Sequence, residues 1–320
     1  KVLVTGGTGL IGRPLVQMLL DRGASVRIAS LDEASRAHPD AEFLRVDLTD
    51  ICNCLTACKG MNYVFHLAGV KGSPAVTKTR PASFFVPTIL FNTCMMEAAR
   101  RCHVDGYLYT STVGVYSPAD VFYEDDVWTT FPSENDRYAG WAKRMGELQA
   151  EAFKIEYNWN NVSIVRPANV YGPYDNFSPV NAMVVPSLIK RAVDGENPMT
   201  VWGDGSAIRD FIYTDDVARG MLFAAENCIS EPINLGSGDG ISIKTLVEAI
   251  VEQTDPKPEL HWDTTKPSGD AIRKMDVTRA KGYGWEPEIS ISEGINRTMA
   301  WYKENKDEID KRYNVFEETK

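Results

Sequence analysis

The chain is short of histidine, of positive charge and of long apolar runs, and each shortage removes a class of function. It holds four histidines in 320 residues, and none stands in a metal-ligand or triad pattern. That argues against metal catalysis and Ser-His-Asp chemistry, so no metal site is predicted. Lys and Arg number 34 against 44 Asp and Glu, a formal charge of −10 with a pI near 5.0. A surface of that sign repels nucleic acid and anionic membranes, so neither is expected as a partner. No apolar run approaches the ~20 residues of a membrane span, and no leader is visible, so a cytoplasmic protein is expected. Cys52, Cys54 and Cys58 follow a C-x-C-x3-C spacing with no companion histidine or second cysteine pair. A cysteine-tolerant helix in a reducing compartment is the simpler reading.

What is present begins at the first residue. Lys1 to Gly12 reads KVLVTGGTGLIG. Val2, Leu3 and Val4 form the apolar run of a buried parallel strand. Gly6, Gly9 and Gly12 then meet three demands: a tight turn, a backbone close to a pyrophosphate, and a helix packed against the strand. The helix predicted over about 12–21 aims its first N–H groups at the phosphates. This strand–turn–helix predicts a bound dinucleotide.

Strands are predicted at Val2–Thr5, Ser25–Ala29, Glu42–Val46, Tyr63–Ala68, Gly106–Thr110 and Val162–Pro167, and helices near 12–21, 84–101 and 137–156. Their alternation is the βαβ pattern, which predicts an α/β fold: a Rossmann doubly wound parallel sheet with a smaller C-terminal substrate-binding domain. The dinucleotide domain is placed at 1–170, completed by about 211–236. After Asn169 comes a loop rich in Gly, Pro and Asn (Tyr171–Asn181), then a helix near Pro186–Asp194. The substrate domain is placed at 171–210 and 237–320, with a helix at Asp215–Glu226 returning to the first domain.

The motifs TGGTGLIG, HLAG, YTSTVGVY (109–116), AKR (142–144), RPANVYGPYDNF (166–177), VWGDG (201–205), RDFIYTDDVA (209–218) and WDTTKPSGD (262–270) occur in order. Over nearly its whole length the chain resembles the extended short-chain dehydrogenase/reductases of the NAD-dependent epimerase/dehydratase family. It is most similar there to the GDP-L-fucose synthase group of nucleotide-sugar enzymes. The resemblance implies that Gly6, Gly9 and Gly12 form the pyrophosphate loop and that Asp47 faces the adenine. It implies that Thr112 supplies the catalytic hydroxyl, and that Lys143 grips the nicotinamide ribose and lowers the pKa of a catalytic tyrosine. Asn169 is implied as a substrate contact, and Arg191, Trp202, Arg209 and Lys266 as the cradle of a GDP moiety. Arginine suits that task because its planar fork pairs two phosphate oxygens at once. Arg209 has a plainer reading, a surface ion pair with Asp210.

The chain departs from the family pattern in three places. The pattern is Tyr-x-x-x-Lys, but four residues before Lys143 stands Ala139. Tyr138 is five residues back, about 140° from Lys143 on a regular helix. It can act as the acid/base if the helix bulges or begins there; otherwise Tyr138 is a first-turn residue and the usual acid/base is absent. Second, the group's C3/C5 proton carriers, a Cys and a His, are replaced by Gly114 and Met183. Neither can carry a proton, and Val113 follows Thr112 where dehydratases keep an acid. Redox chemistry at C4 is what remains. Third, Ser30 ends the second strand where NAD-specific members keep Asp. Serine permits NADP, and Arg36 could answer its phosphate, while Asp32 and Glu33 would repel it. NAD is expected, with NADP left open.

The leading expectation is therefore an NAD(P)-dependent 4-dehydrogenase, 4-keto reductase or 4-epimerase of a GDP-linked sugar. One rival is a non-catalytic nucleotide-sugar or dinucleotide-binding protein, which Ala139 favours. Another is a UDP-sugar 4-epimerase. Many relatives are dimers through paired helices, so helices 84–101 and 137–156 are candidates for a homodimer interface.

Overall fold

The computed structural model describes residues 1–70, 72, 74–179, 181–266, 270–306 and 313. Seven parallel strands form its main sheet. Five are β1 (Val2–Thr5), β2 (Val26–Ser30), β3 (Glu42–Arg45), β4 (Tyr63–His66) and β5 (Gly106–Thr110), joined by Val162–Pro167 and Ile233–Leu235. From one edge, Ile233–Leu235 is followed by Val162–Pro167, then β5, β4, β1, β2 and β3. The order reverses between β1 and β4, the switch point outside whose carboxyl ends such sheets bind their ligands. This is the α/β doubly wound sheet that the βαβ alternation predicts.

Side chains along each strand alternate between two cores. Val4, Ile28, Phe65, Leu108 and Val165 point to one face, with Val16 of helix α1 (Gly12–Asp21) and Met221 of helix Thr214–Glu226. Leu3, Ala29, Val64, Tyr107 and Ile164 point to the other, against Phe91 and Met95 of helix Pro81–Arg101. That helix is 21 residues long and apolar enough, by length and composition, to cross a membrane, a run the composition did not foretell. Phe84, Phe91, Met95, Met96, Ala98 and Ala99 are nevertheless buried against protein, as in a core helix. It starts at Pro81 rather than 84, because proline at the first helical position gives up an N–H that has no partner there.

Strand ends differ from the sequence pattern for local reasons. β4 stops at His66 instead of Ala68: the Leu67 N–H is shared between the Thr5 carbonyl at 3.2 Å and the Thr5 hydroxyl at 3.1 Å, and the Ala68 N–H turns to that hydroxyl at 3.0 Å. A second sheet joins Gly240–Ser242, Ile208–Tyr213, Ile272–Met275 and Val121–Phe122, and Asn169–Tyr171 pairs with its strand Ile208–Tyr213. Met199–Trp202 and Leu260–Asp263 form a separate parallel pair. Around these, Tyr171, Phe177, Leu188, Phe211, Ile250 and Ile295 bury a third core.

The ion pair between Arg166 and Glu147 lies wholly inside. Arg166 donates from Nε and Nη2 to the Glu147 carboxylate at 3.0 and 2.7 Å, with both side chains at most 2% exposed. Its Nη1 donates to the Tyr116 hydroxyl and the Glu124 carbonyl at 3.0 and 2.8 Å. The Ser111 hydroxyl donates to the same carboxylate. Helix Arg137–Tyr157 is thereby fixed to the strand Val162–Pro167 and to the turn after β5. Arg166→Met strands a buried carboxylate, so chemical denaturation should show a loss of about 3–5 kcal/mol, the usual cost of breaking such a pair. A loss under about 1 kcal/mol, the range of surface pairs, would show that Glu147 finds other compensation.

Candidate active site

The phosphate turn has the shape its glycines require. Gly6 sits at φ +68°, a left-handed conformation that L side chains resist. A Cβ on Gly12 would drive into the Gly6 carbonyl, so only glycine lets α1 come this close. Gly9 N–H donates to Gly6 O at 3.0 Å and closes the turn. The first turn of α1 has no side-chain cap and no acidic residue. Arg13 N–H donates to Gly9 O at 3.1 Å and Pro14 has no N–H, so the turn offers an anion the positive end of the helix with no carboxylate beside it, which fits a dinucleotide pyrophosphate.

Carboxylates gather near the end of β2. Asp32 accepts from the Thr8 hydroxyl at 2.6 Å and from Tyr313 N–H at 2.8 Å, and it lies 3.8 Å from the Arg36 guanidinium. Ser30 Oγ is 3.0 Å from Thr8 Oγ1 and accepts from Asp32 N–H at 3.2 Å. Asp47 accepts from the N–H and hydroxyl of Thr49 at 2.9 and 2.8 Å, an Asx turn that leads into helix Ile51–Cys58. Arg13, in α1, lies over the Tyr174 ring at 4.2 Å, and Tyr174 packs on Trp301 of the last helix.

Beneath the turn, His66 bridges β1 and helix Pro81–Arg101. Its Nδ1 is 2.9 Å from Thr5 Oγ1 and its Nε2 is 2.9 Å from Asn92 Oδ1. Thr5 Oγ1 already accepts two N–H groups, so its own proton goes to Nδ1, and Nε2–H donates to Asn92. Burial, with the Lys143 charge nearby, pushes the His66 pKa down to about 3 and keeps the ring neutral. The HLAG motif carried His66, but its partners Thr5 and Asn92 come from distant segments.

Thr112 caps the short turn Val113–Val115 and accepts from Gly114 N–H at 3.2 Å, which leaves its own proton free to donate. Lys143 Nζ donates to Thr110 O at 2.8 Å, two residues before Thr112, which brings Lys143 to the carboxyl end of β5 from which Thr112 follows. Burial lowers the Lys143 pKa to about 8, against the opposing charge of Glu147. Gly140 makes this approach possible, because a Cβ there would strike the Gly114 carbonyl.

Helix Arg137–Tyr157 is α-helical throughout and begins one residue before Tyr138. The bulge that would swing Tyr138 onto the Lys143 face is not formed. The Tyr138 ring stacks edge-on against Phe85 at 6.0 Å and is 41% exposed. Asp136, just ahead of the helix, instead faces the turn: a Cβ on Gly114 would lie 3.3 Å from Asp136 Cβ. Arg273 holds Asp136 Oδ2 at 2.7 Å. Neither Asp136 nor Arg273 belongs to a motif in the sequence.

The residues assigned to a GDP moiety fall in two groups. Trp202, 64% exposed, lies under Lys266 Nζ at 5.9 Å from its ring centroid. Arg191 donates to the Thr200 carbonyl of the same strand and forks onto Glu196 at 2.6 and 2.5 Å, which raises its pKa. Arg209 lies in the other sheet, on the strand Ile208–Tyr213, in register with Arg273. The surface pair of Arg209 with Asp210 is not formed. Asp210 is buried, and its carboxylate accepts from Ser237 N–H, Ser237 Oγ, Gly238 N–H and Met275 N–H. Asn169 Nδ2 donates to Asp210 O at 2.8 Å. Met183 precedes helix Val184–Val193. Pro267, Ser268 and Gly269 of the WDTTKPSGD segment lie outside the described residues, as do Val180 of the loop 171–181 and 307–312 and 314–320 of the segment 237–320.

A doubly wound sheet, a glycine-built phosphate turn and a lysine beside a threonine at the end of β5 define a dinucleotide-dependent enzyme. The model of the NAD dependent epimerase/dehydratase family matches residues 2–236, and the chain belongs to that family. A putative GDP-L-fucose synthase 2 from Arabidopsis thaliana is 30% identical over 315 residues, covering 95% of this chain and 92% of that protein. The GDP-L-fucose synthase of Escherichia coli (strain K12) is 26% identical, covering 96% and 98%. Among solved structures, a UDP-glucose 4-epimerase from Thermotoga maritima with UDP-glucose superposes with a TM-score of 0.83 at 29% identity, covering 95% and 99%. The chain is an NAD(P)-dependent enzyme.

A test of Lys143 follows from its burial. The ammonium form prevails below a pKa near 8, so turnover that relies on its charge should fall as pH rises through about 8. In Lys143→Arg the charge persists at all working pH, and the residual turnover should lose that alkaline limb. A limb that survives the substitution would assign it to another group.

Proposed function

We propose that the chain is an NAD(P)-dependent oxidoreductase acting at C4 of a GDP-linked sugar, without epimerisation at C3 or C5. The observation that carries this reading is Lys143 anchored to the Thr110 carbonyl at the end of β5, two residues before Thr112, with Gly114 where a proton carrier would stand. The bound nicotinamide supplies hydride exchange with the sugar carbon. Thr112 donates its hydroxyl proton to the C4 oxygen. Lys143 holds the nicotinamide ribose, and its positive charge favours negative charge developing at that oxygen. Gly6, Gly9 and Gly12 bring the α1 N–H groups to the pyrophosphate.

The several GDP-L-fucose synthases among the relatives support GDP as the nucleotide. Arg209 and Lys266 then face the diphosphate, Trp202 the base, and Asn169 the sugar. Arg191 joins them only by exchanging its fork on Glu196 for the phosphate. Asp32, already gathering Thr8, Arg36 and Tyr313, accepts the ribose hydroxyls more readily than a 2′-phosphate, which favours NAD. A UDP-sugar 4-epimerase is the second reading, supported by the Thermotoga maritima structure.

Helices Pro81–Arg101 and Arg137–Tyr157 pack on each other and leave Val86, Leu90, Met145 and Leu148 exposed. A second copy of the chain covers this face in the proposed homodimer.

Calorimetric titration with GDP and UDP separates the two nucleotide readings. GDP should bind more tightly, and equal or tighter UDP binding favours the 4-epimerase. The absence of a C3/C5 carrier is tested by NMR of a GDP-4-keto hexose incubated with the protein in deuterated water. No enzyme-dependent deuterium should enter C3 or C5; incorporation at either would mean that another residue has taken over.

A further inference from the structure

The family's tyrosine position is Ala139, and the regular helix turns Tyr138 away. The residue just ahead of this helix nevertheless brings another polar side chain to this end. Asp136 is seven residues before Lys143, and seven residues of α-helix turn about 700°, so the two lie within roughly 20° of one face. The Gly140 N–H donates to Asp136 O at 2.7 Å, which extends the helical register back to Asp136. Tyr138, by contrast, packs on Phe85 outside that face.

The side chain of Asp136 fills the space into which a residue at 114 would project. A Cβ there would lie 3.3 Å from Asp136 Cβ, 3.4 Å from Cγ and 3.5 Å from Oδ1. Gly114 in turn donates its N–H to Thr112 Oγ1. One carboxylate thus lies against the turn that presents the catalytic hydroxyl. Its two oxygens are used differently. Oδ2 accepts from Arg273 Nη2 at 2.7 Å. Oδ1 accepts no hydrogen bond from any described residue, and the side chain keeps 28% of its surface exposed. Arg273 is itself fixed, with its guanidinium 5.6 Å from the Phe122 ring centroid and its Nε 3.9 Å from Asp270. The pair spans two sheets, since Arg273 belongs to the strand Ile272–Met275 and Asp136 leads into the helix that packs on β5.

We propose that Asp136 replaces the missing tyrosine as the acid/base that touches the sugar, with Arg273 as its positioning residue. The proposal rests on the C4 redox reading. In the oxidative direction the hydroxyl proton passes from O4 to Asp136 Oδ1, the C4–H bond gives its hydride to the oxidised nicotinamide, and the C4=O double bond forms. Reduction reverses each step, and Asp136 returns the proton to O4.

The test compares Asp136→Ala, Asp136→Asn and Tyr138→Phe with the wild type, each shown by calorimetry to bind NAD and GDP. Turnover is then followed at the reduced-nicotinamide absorbance with a panel of GDP- and UDP-linked hexoses and 4-keto hexoses. Both Asp136 variants should lose at least ~100-fold in kcat, the lower range for losing a general acid or base, with KM little changed. Added formate should restore turnover to Asp136→Ala with saturation, and should not restore Asp136→Asn, whose amide still fills the place. A structural role would show no formate rescue. Near-normal kcat in the Asp136 variants, a loss that formate leaves unrelieved, or a larger loss in Tyr138→Phe overturns the assignment. Wild-type protein that turns over none of the panel rejects the C4 reading instead. The sugar contact is then judged by binding: GDP-mannose should bind more tightly than GDP to the wild type, and Asp136→Ala should lose that increment. An increment kept by the variant, or absent from the wild type, overturns the contact.

Discussion

Arg166 and Glu147 are withdrawn from water together, and neither could be buried alone. An unpaired charge at that depth would cost several kcal/mol. The fork of two hydrogen bonds repays much of that cost and converts it into position. The carboxylate also accepts from Ser111, the residue before Thr112, and it stands one helical turn after Lys143 on the same helix. Strand, turn and helix are therefore located by one pair of charges. The Thr112 hydroxyl and the Lys143 ammonium inherit their separation from it. Gly140 and Gly146 complete the arrangement by omission: side chains there would meet the Gly114 carbonyl and the Tyr109 ring.

Electrostatics in the crevice follow from where burial is allowed. His66 loses its charge because burial disfavours the imidazolium and Lys143 adds a repulsion. Lys143 stays close to its titration point because desolvation opposes the ammonium while Glu147 supports it. A cation poised in this way can respond to charge on a neighbouring oxygen, which a fully solvated lysine would not do.

Most of the scaffold could be read from residue pattern alone. The Val2–Thr5, Gly106–Thr110 and Val162–Pro167 strands and the Gly12–Asp21 helix stand where period and punctuation put them, because buried parallel strands and the phosphate turn tolerate few residue types. What escaped the reading depends on segments far apart in the chain. The sequence shows Ala139 in place of tyrosine, but not that Asp136 turns toward Gly114, because that contact depends on how closely the helix approaches the turn. Asp136 and Arg273 are 137 positions apart. Arg166 and Glu147 look like unremarkable charges until the fold removes their water. Arg191 resembles a phosphate ligand by position, yet Glu196 five residues later already satisfies it, and a pairing that depends on a turn has no periodic signature.

Arg13 deserves a wider reading than its place at the start of α1 suggests. Its guanidinium lies on Tyr174, and Tyr174 leans on Trp301, so the helix that greets the dinucleotide is braced through two aromatic rings to the last helix of the smaller half. Braces carry load in both directions. The start of α1 and the loop that follows Tyr171 therefore share one mechanical support. The phosphate turn and the loop after Tyr171 are held by one stack of side chains and are not placed independently of each other.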